Sequence, residues 1–124
     1  MPVKVLYVED NPQNMRLVRK MLSTVGYDMI EALDGLSGLQ QLEKEHPDVV
    51  LLDINLPDID GVEVLKRIRE NGMYRHLPVI ALTANAMFGD RQRFLDAGFD
   101  AYLAKPVSRR ELTDTLGQYV VGNE

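Results

Sequence analysis

Five times along the chain a short apolar run rich in β-branched residues is followed by an amphipathic stretch. The runs are residues 3–8, 27–32, 49–52, 79–82 and 101–103. Val49-Val50-Leu51-Leu52 contains no polar residue, the pattern of a strand covered on both faces. Strands that alternate with helices pair in parallel through right-handed crossovers, with helices on both faces. At 124 residues the chain has about half the length that an eight-stranded barrel of roughly 250 residues needs. The prediction is therefore an α/β fold with a doubly wound five-stranded parallel sheet, flavodoxin-like (βα)5, in strand order 2-1-3-4-5. The whole span 1–124 is expected to be a single domain, with no room for an output domain.

Local signals place the helices. Asn11-Pro12 supplies an N-cap and a proline at the first helical position. Met15, Val18, Met21, Leu22 and Val25 then recur at helical spacing until Gly26. Asp34-Gly35 opens a second helix carrying Leu36, Leu39 and Leu42, and Pro47-Asp48 ends that connection. Asp60 with Glu63 caps a third that presents Val64, Leu65 and Ile68. Residues 86–97, with Phe94 and Leu95 on one face and Gly98 as the stop, make a fourth. Ser108 and Glu111 form a capping-box pattern ahead of Leu112, Leu116 and Tyr119.

Composition narrows the function. With 45% hydrophobic and 27% charged residues the chain is globular, not disordered. The net charge is −5 and the basic residues are scattered, which argues against direct DNA binding. Without cysteine there is no disulfide, thiolate metal site or thiol nucleophile, as suits a reducing compartment. No apolar run approaches the roughly 18 residues of a membrane span, and no signal-peptide pattern opens the chain. A cytoplasmic location is expected.

In the order 2-1-3-4-5, strands 1 and 3 are neighbours at the switch point, and ligands bind at their carboxyl ends. Strand 1 ends in Glu9 and Asp10, strand 3 in Asp53 and strand 4 in Thr83, with Lys105 just beyond strand 5. Three carboxylates brought this close should raise one another's pKa, and a divalent cation relieves the repulsion. Mg²⁺ suits them, taking carboxylate oxygens, keeping several waters and favouring a phosphate partner. A carboxylate beside such an ion and a lysine can attack phosphorus and become an aspartyl phosphate. Lysine then neutralises the transferring group and threonine donates a hydrogen bond to it. Asp53, alone at the end of the most apolar strand, is the expected nucleophile. Glu9 and Asp10 are the expected metal ligands, with the backbone carbonyl of Asn55 as a further oxygen.

Five motifs stand in order along nearly the whole chain. They are Val8-Glu9-Asp10-Asn11, Leu52-Asp53-Ile54-Asn55-Leu56-Pro57, Asp60-Gly61, Leu82-Thr83-Ala84 and Tyr102-Leu103-Ala104-Lys105-Pro106. In this the chain resembles the receiver domains of two-component response regulators. The resemblance implies that Asp53 accepts a phosphoryl group from a histidine kinase or histidine phosphotransfer protein. It also implies Mg²⁺ at the acidic pair Glu9 and Asp10, an invariant lysine at Lys105, a switch at Thr83 and Tyr102, and a cis peptide before Pro106. Glu9 stands where many members have aspartate, a variant shared by receivers of hybrid kinases and some single-domain regulators. The Thr83-Ala84-Asn85-Ala86-Met87 stretch with Gly89-Asp90 resembles the same subgroup. Output is then expected through contact with a downstream protein target.

Other readings of these residues are weaker. A Mg²⁺-dependent small phosphohydrolase using the same aspartate would want an acid two residues after it, where Asn55 stands. A binding module that kept the fold without the chemistry would be expected to have lost Asp53 or Lys105. Asp58-Ile59-Asp60-Gly61 invites an EF-hand reading that fails, since its first and last positions would be Leu56 and Arg67. No phosphate-cradling glycine loop follows strand 1, and Glu9-Asp10 would repel a flavin phosphate. Asp34, Asp58 and Asp60 read as turn and cap residues, and His46 and His76 as structural. Tyr102 fits core, rim or switch, while Met87 and Phe88 fit core or a partner patch.

Overall fold

A computed structural model describes residues 2–84 and 89–120. The chain runs β1 (Lys4–Val8), α1 (Pro12–Ser23), β2 (Asp28–Ala32), α2 (Gly35–Glu45), β3 (Val49–Asp53) and α3 (Gly61–Glu70). A short 3₁₀ turn at Gly72–Tyr74 leads into β4 (Val79–Thr83), α4 (Asp90–Ala97), β5 (Ala101–Ala104) and α5 (Arg109–Val120). All strands pair in parallel, in the order 2-1-3-4-5 that the sequence predicts. β3 and β4 are buried along their full length.

The period of two along each strand divides the core. Val5, Tyr7, Val49, Leu51, Ile80 and Leu82 pack on one face under α1 and α5. Leu6, Val8, Val50, Leu52, Val79 and Ala81 pack on the other under α2, α3 and α4. The predicted caps form. Asn11 Oδ1 accepts the Gln13 and Asn14 amides at 2.8 and 3.1 Å. The Asp60 carboxylate accepts Glu63 N–H at 2.9 Å, and Ser108 and Glu111 exchange both bonds of their box.

Two helix expectations need correction, and a third falls partly outside the described residues. α1 ends at Ser23 with Thr24 as its cap, so Val25 lies beyond the helix and is 44% exposed. In α2 the buried stripe is Gly35, Gly38 and Leu42, while Leu36 points outward. The reason is the close approach of the helix to the sheet: a Cβ on Gly38 would meet Val8 Cγ2 at 2.8 Å. The contact face is built from small residues, which a hydrophobicity pattern passes over. α4 is described from Asp90, and Asn85, Ala86, Met87 and Phe88 lie outside the described residues.

Candidate functional site

The parallel sheet brings the carboxyl ends of β1, β3, β4 and β5 to one edge. The Glu9 amide donates to Ala32 O at 2.9 Å, fixing the end of β1 against β2. The Ile54 amide donates to Leu82 O at 3.1 Å, which sets Asp53 beside β4. The Lys105 amide donates to Thr83 O at 2.9 Å, so the lysine leaves β5 toward the same place. Helix α3 starts against the backbone of Asp53 and Ile54. A Cβ on Gly61 would sit 2.7 Å from Asp53 O, so only glycine lets the helix start here.

Glu9, Asp10 and Asp53 each offer a carboxylate oxygen, all within 4.8 Å of one another. Glu9 and Asp53 are buried and Asp10 is exposed. Lys105 Nζ lies 2.5 Å from Glu9 Oε1 and 3.4 Å from Asp53 Oδ2. Glu9 Oε1 also accepts the Tyr7 hydroxyl at 2.8 Å and Asn14 Nδ2 at 3.3 Å. Its Oε2 accepts the Asn11 amide at 3.2 Å. Asp53 Oδ1 accepts the amide of Asn55, two residues on, at 3.2 Å. Thr83 is buried at the end of β4. Tyr102, half-buried on edge strand β5, stacks its ring on Phe94 at 5.6 Å.

Mutual repulsion acts on the carboxylates unevenly. Burial pushes the Asp53 carboxyl up to about 6, with Lys105 opposing the rise and the Glu9 charge adding to it. Burial works on Glu9 in the same direction. There the hydrogen bonds from Lys105 and Tyr7 outweigh it and leave the carboxyl below its ordinary value. The expectation that each acid raises the others is thus corrected for Glu9, because the donors converge on it and not on Asp53.

Three carboxylates around one ammonium leave negative charge in excess, and all the candidate ligand atoms are hard oxygens. That donor set fits Mg²⁺. The structure brings together Glu9, Asp10, Asp53 and Lys105, with exposed Asn55 following Asp53 and buried Thr83 joined to Lys105 through their backbones.

Comparison with known proteins agrees with this geometry. The family model for the response regulator receiver domain matches residues 5–117. The chain belongs to the response regulator receiver family. It is 41% identical over 120 residues to the polar-differentiation response regulator DivK of Brucella anthropi, covering 97% of this chain and 98% of that one. Among solved structures it is similar to the receiver domain of sensor histidine kinase PA1611 from Pseudomonas aeruginosa PAO1. There the TM-score is 0.89 at 39% identity, covering 98% and 99% of the two chains. That crystal structure holds a magnesium ion coordinated in the active site cleft. The chemotaxis protein CheY4 of Vibrio cholerae is similar at a TM-score of 0.88 and 29% identity, covering 96% and 99%.

This receiver domain also shows the cis Lys105–Pro106 peptide that the resemblance implies. Among the described residues no helix is long and apolar enough to cross a membrane. His46 sits at the C-cap of α2 with Nδ1 3.0 Å from the Tyr74 hydroxyl, and His76 is exposed before β4. Both stand apart from the acidic cluster.

The sequence reading missed three contributors. Tyr7 and Asn14 passed as ordinary strand and helix residues, yet both donate to Glu9. A legible signal existed for Tyr7: a polar tip in an apolar strand, two residues before Glu9 and so on the same side. Asp58 reads from the sequence as a turn residue. Its two oxygens in fact accept the Gly35 and Leu36 amides at 2.8 and 2.9 Å, tying the loop after Asp53 to the start of α2. Nothing local marks that bond, whose partners lie more than twenty positions apart.

Proposed function

We propose that this receiver domain is a cytoplasmic phosphorylation-controlled switch in which Asp53 accepts a phosphoryl group from a phosphohistidine. The donor would be a histidine kinase or histidine phosphotransfer protein. The observation that carries the reading is the gathering of Glu9, Asp10 and Asp53 within 4.8 Å, with Lys105 reaching both buried acids.

Glu9, Asp10 and Asp53, with the backbone carbonyl of Asn55, would hold Mg²⁺. Bound there, the ion neutralises the carboxylates and orients a phosphoryl oxygen. An Asp53 carboxylate oxygen attacks phosphorus in line, the P–N bond to the donor imidazole breaks, and the histidine leaves with its electron pair. Lys105 Nζ, already 3.4 Å from Asp53 Oδ2, offsets the charge on the transferring group. The Thr83 hydroxyl donates to one of its oxygens. The aspartyl phosphate, near −2, draws Thr83 inward. Tyr102 then turns into the space released and reshapes the surface around β4, β5 and their helices. The span 1–124 acts as one receiver unit whose output is contact with a downstream protein target, without direct DNA or membrane binding.

The site serves signalling, not turnover of an outside substrate. A small phosphohydrolase of this design would want a general acid where exposed Asn55 stands. Incubation with Mg²⁺ and acetyl phosphate followed by intact mass measurement tests the reading. One labile phosphoryl adduct is expected, absent in Asp53→Asn. Sustained release of phosphate over many turnovers would favour the hydrolase, and no adduct at all would leave a binding module.

A further inference from the structure

β1 is an apolar strand apart from Lys4 at its start, and Tyr7 is the largest fully buried side chain among the described residues. A phenol placed there buries a hydroxyl that needs a partner. Its partner is Glu9 Oε1 at 2.8 Å. Side chains at 7 and 9 fall on the same side of the strand, so the ring lifts its hydroxyl from the α1–α5 core to the floor of the acidic cleft. A carboxylate oxygen can only accept, so in this contact the phenol is the donor.

The donors on Glu9 are lopsided. Oε1 accepts Tyr7, Lys105 and Asn14, whereas among the described residues Oε2 accepts only the Asn11 amide. One oxygen is pinned from the core side and the other keeps lone pairs for an ion. A glutamate has one more rotatable bond than an aspartate, so its carboxylate needs such an anchor to hold one orientation. Lys105 touches the same oxygen as Tyr7, so how tightly Glu9 holds the ammonium governs what is left for Asp53.

We propose that Tyr7 is a positioning residue of the acidic cleft, whose hydroxyl fixes how Glu9 meets the cation and how Lys105 is divided between Glu9 and Asp53. This rests on the magnesium reading given above. It pairs tyrosine at 7 with glutamate at 9, because an aspartate carboxylate, one methylene shorter, stops short of the phenol.

A double-mutant cycle read by calorimetric Mg²⁺ titration tests it. Tyr7→Phe keeps the ring in the core, and it should weaken Mg²⁺ binding about tenfold, the scale of lost outer-shell partners. In a Glu9→Asp background the same change should leave the affinity unaltered. In wild-type protein carrying ¹³Cζ-tyrosine, the assigned Tyr7 resonance should move as Mg²⁺ is added. Wild-type affinity in Tyr7→Phe overturns the inference, as does an equal loss in the Glu9→Asp background, which would mean that the ring acts through packing. Should Tyr7→Phe not fold, the wild-type titration decides, and a Tyr7 resonance that stays still overturns it. Absence of Mg²⁺ binding in wild-type protein brings down the reading of the site itself, an outcome distinct from the others.

Discussion

The two edges of the sheet use acidic side chains in opposite ways. At the amino edge, Asp48 Oδ2 accepts the Lys4 amide at 2.8 Å, and Asp100 Oδ2 accepts the Val79 amide at 2.8 Å and Arg69 Nη2 at 3.0 Å. These acids stand apart, each matched to its own donors. At the carboxyl edge three acids crowd within 4.8 Å of one another, and a single ammonium spans the two buried ones. The same residue type is a fastener where donors match charge and a site where charge exceeds donors. Unmatched charge is what a cation and a phosphoryl group can exploit.

That contrast can be broken most sharply at Asp53 itself. Asp53→Asn should abolish the acetyl-phosphate adduct altogether by intact mass, while Asp100→Asn should leave it at the wild-type level. An adduct surviving in Asp53→Asn would show that the edge does not act through this residue. Next in size is Lys105→Met, which strands buried Glu9 without its cation. It should cost about 3 kcal/mol in urea denaturation at pH 7, and lose the adduct as well.

The pH dependence sharpens the comparison further. The Asp53 pKa is raised to about 6 in the fold, so the native state holds this proton more tightly than the unfolded chain. Asp53 therefore contributes no penalty below the ordinary carboxylate range, and the penalty grows as pH rises through about 6. Without divalent ions, Asp53→Asn should stabilise the protein by about 2 kcal/mol at pH 8 and by almost nothing near pH 3.5. A pH-independent gain would contradict the charge imbalance. The smallest effect is expected at the matched edge. Asp100→Ala leaves the Val79 amide without its acceptor and should cost about 1.5 kcal/mol, with Mg²⁺ affinity unchanged by calorimetry.

Much of this was legible in the chain. The uninterrupted apolar run at residues 49–52 announced a doubly covered strand, and Asn11-Pro12 and Ser108 with Glu111 announced helix starts that the structure shows. The strand ends named the acids because a parallel sheet sends all its carboxyl ends to one edge. What escaped reading had its cause elsewhere in space. Gly38 lines the α2 contact because Val8 approaches it, Leu36 is left outside for the same reason, and Asp58 caps a helix that precedes it in the chain.

By itself, then, the amino-acid sequence determined the five strand–helix units, their order in the sheet and which acids meet at its edge. The units follow from local periodicity and capping, properties of neighbours along the chain, and their order is the flavodoxin-like one that right-handed crossovers allow. Only the tertiary structure decided that Glu9 keeps its charge while Asp53 holds its proton to about pH 6. Asp53 owes its proton first to burial, whereas the charge on Glu9 depends on Lys105, 96 positions away, and on Tyr7, both donating to one of its oxygens. Electrostatic energy is set by distance and burial, and neither is written in the spacing of residues along a chain.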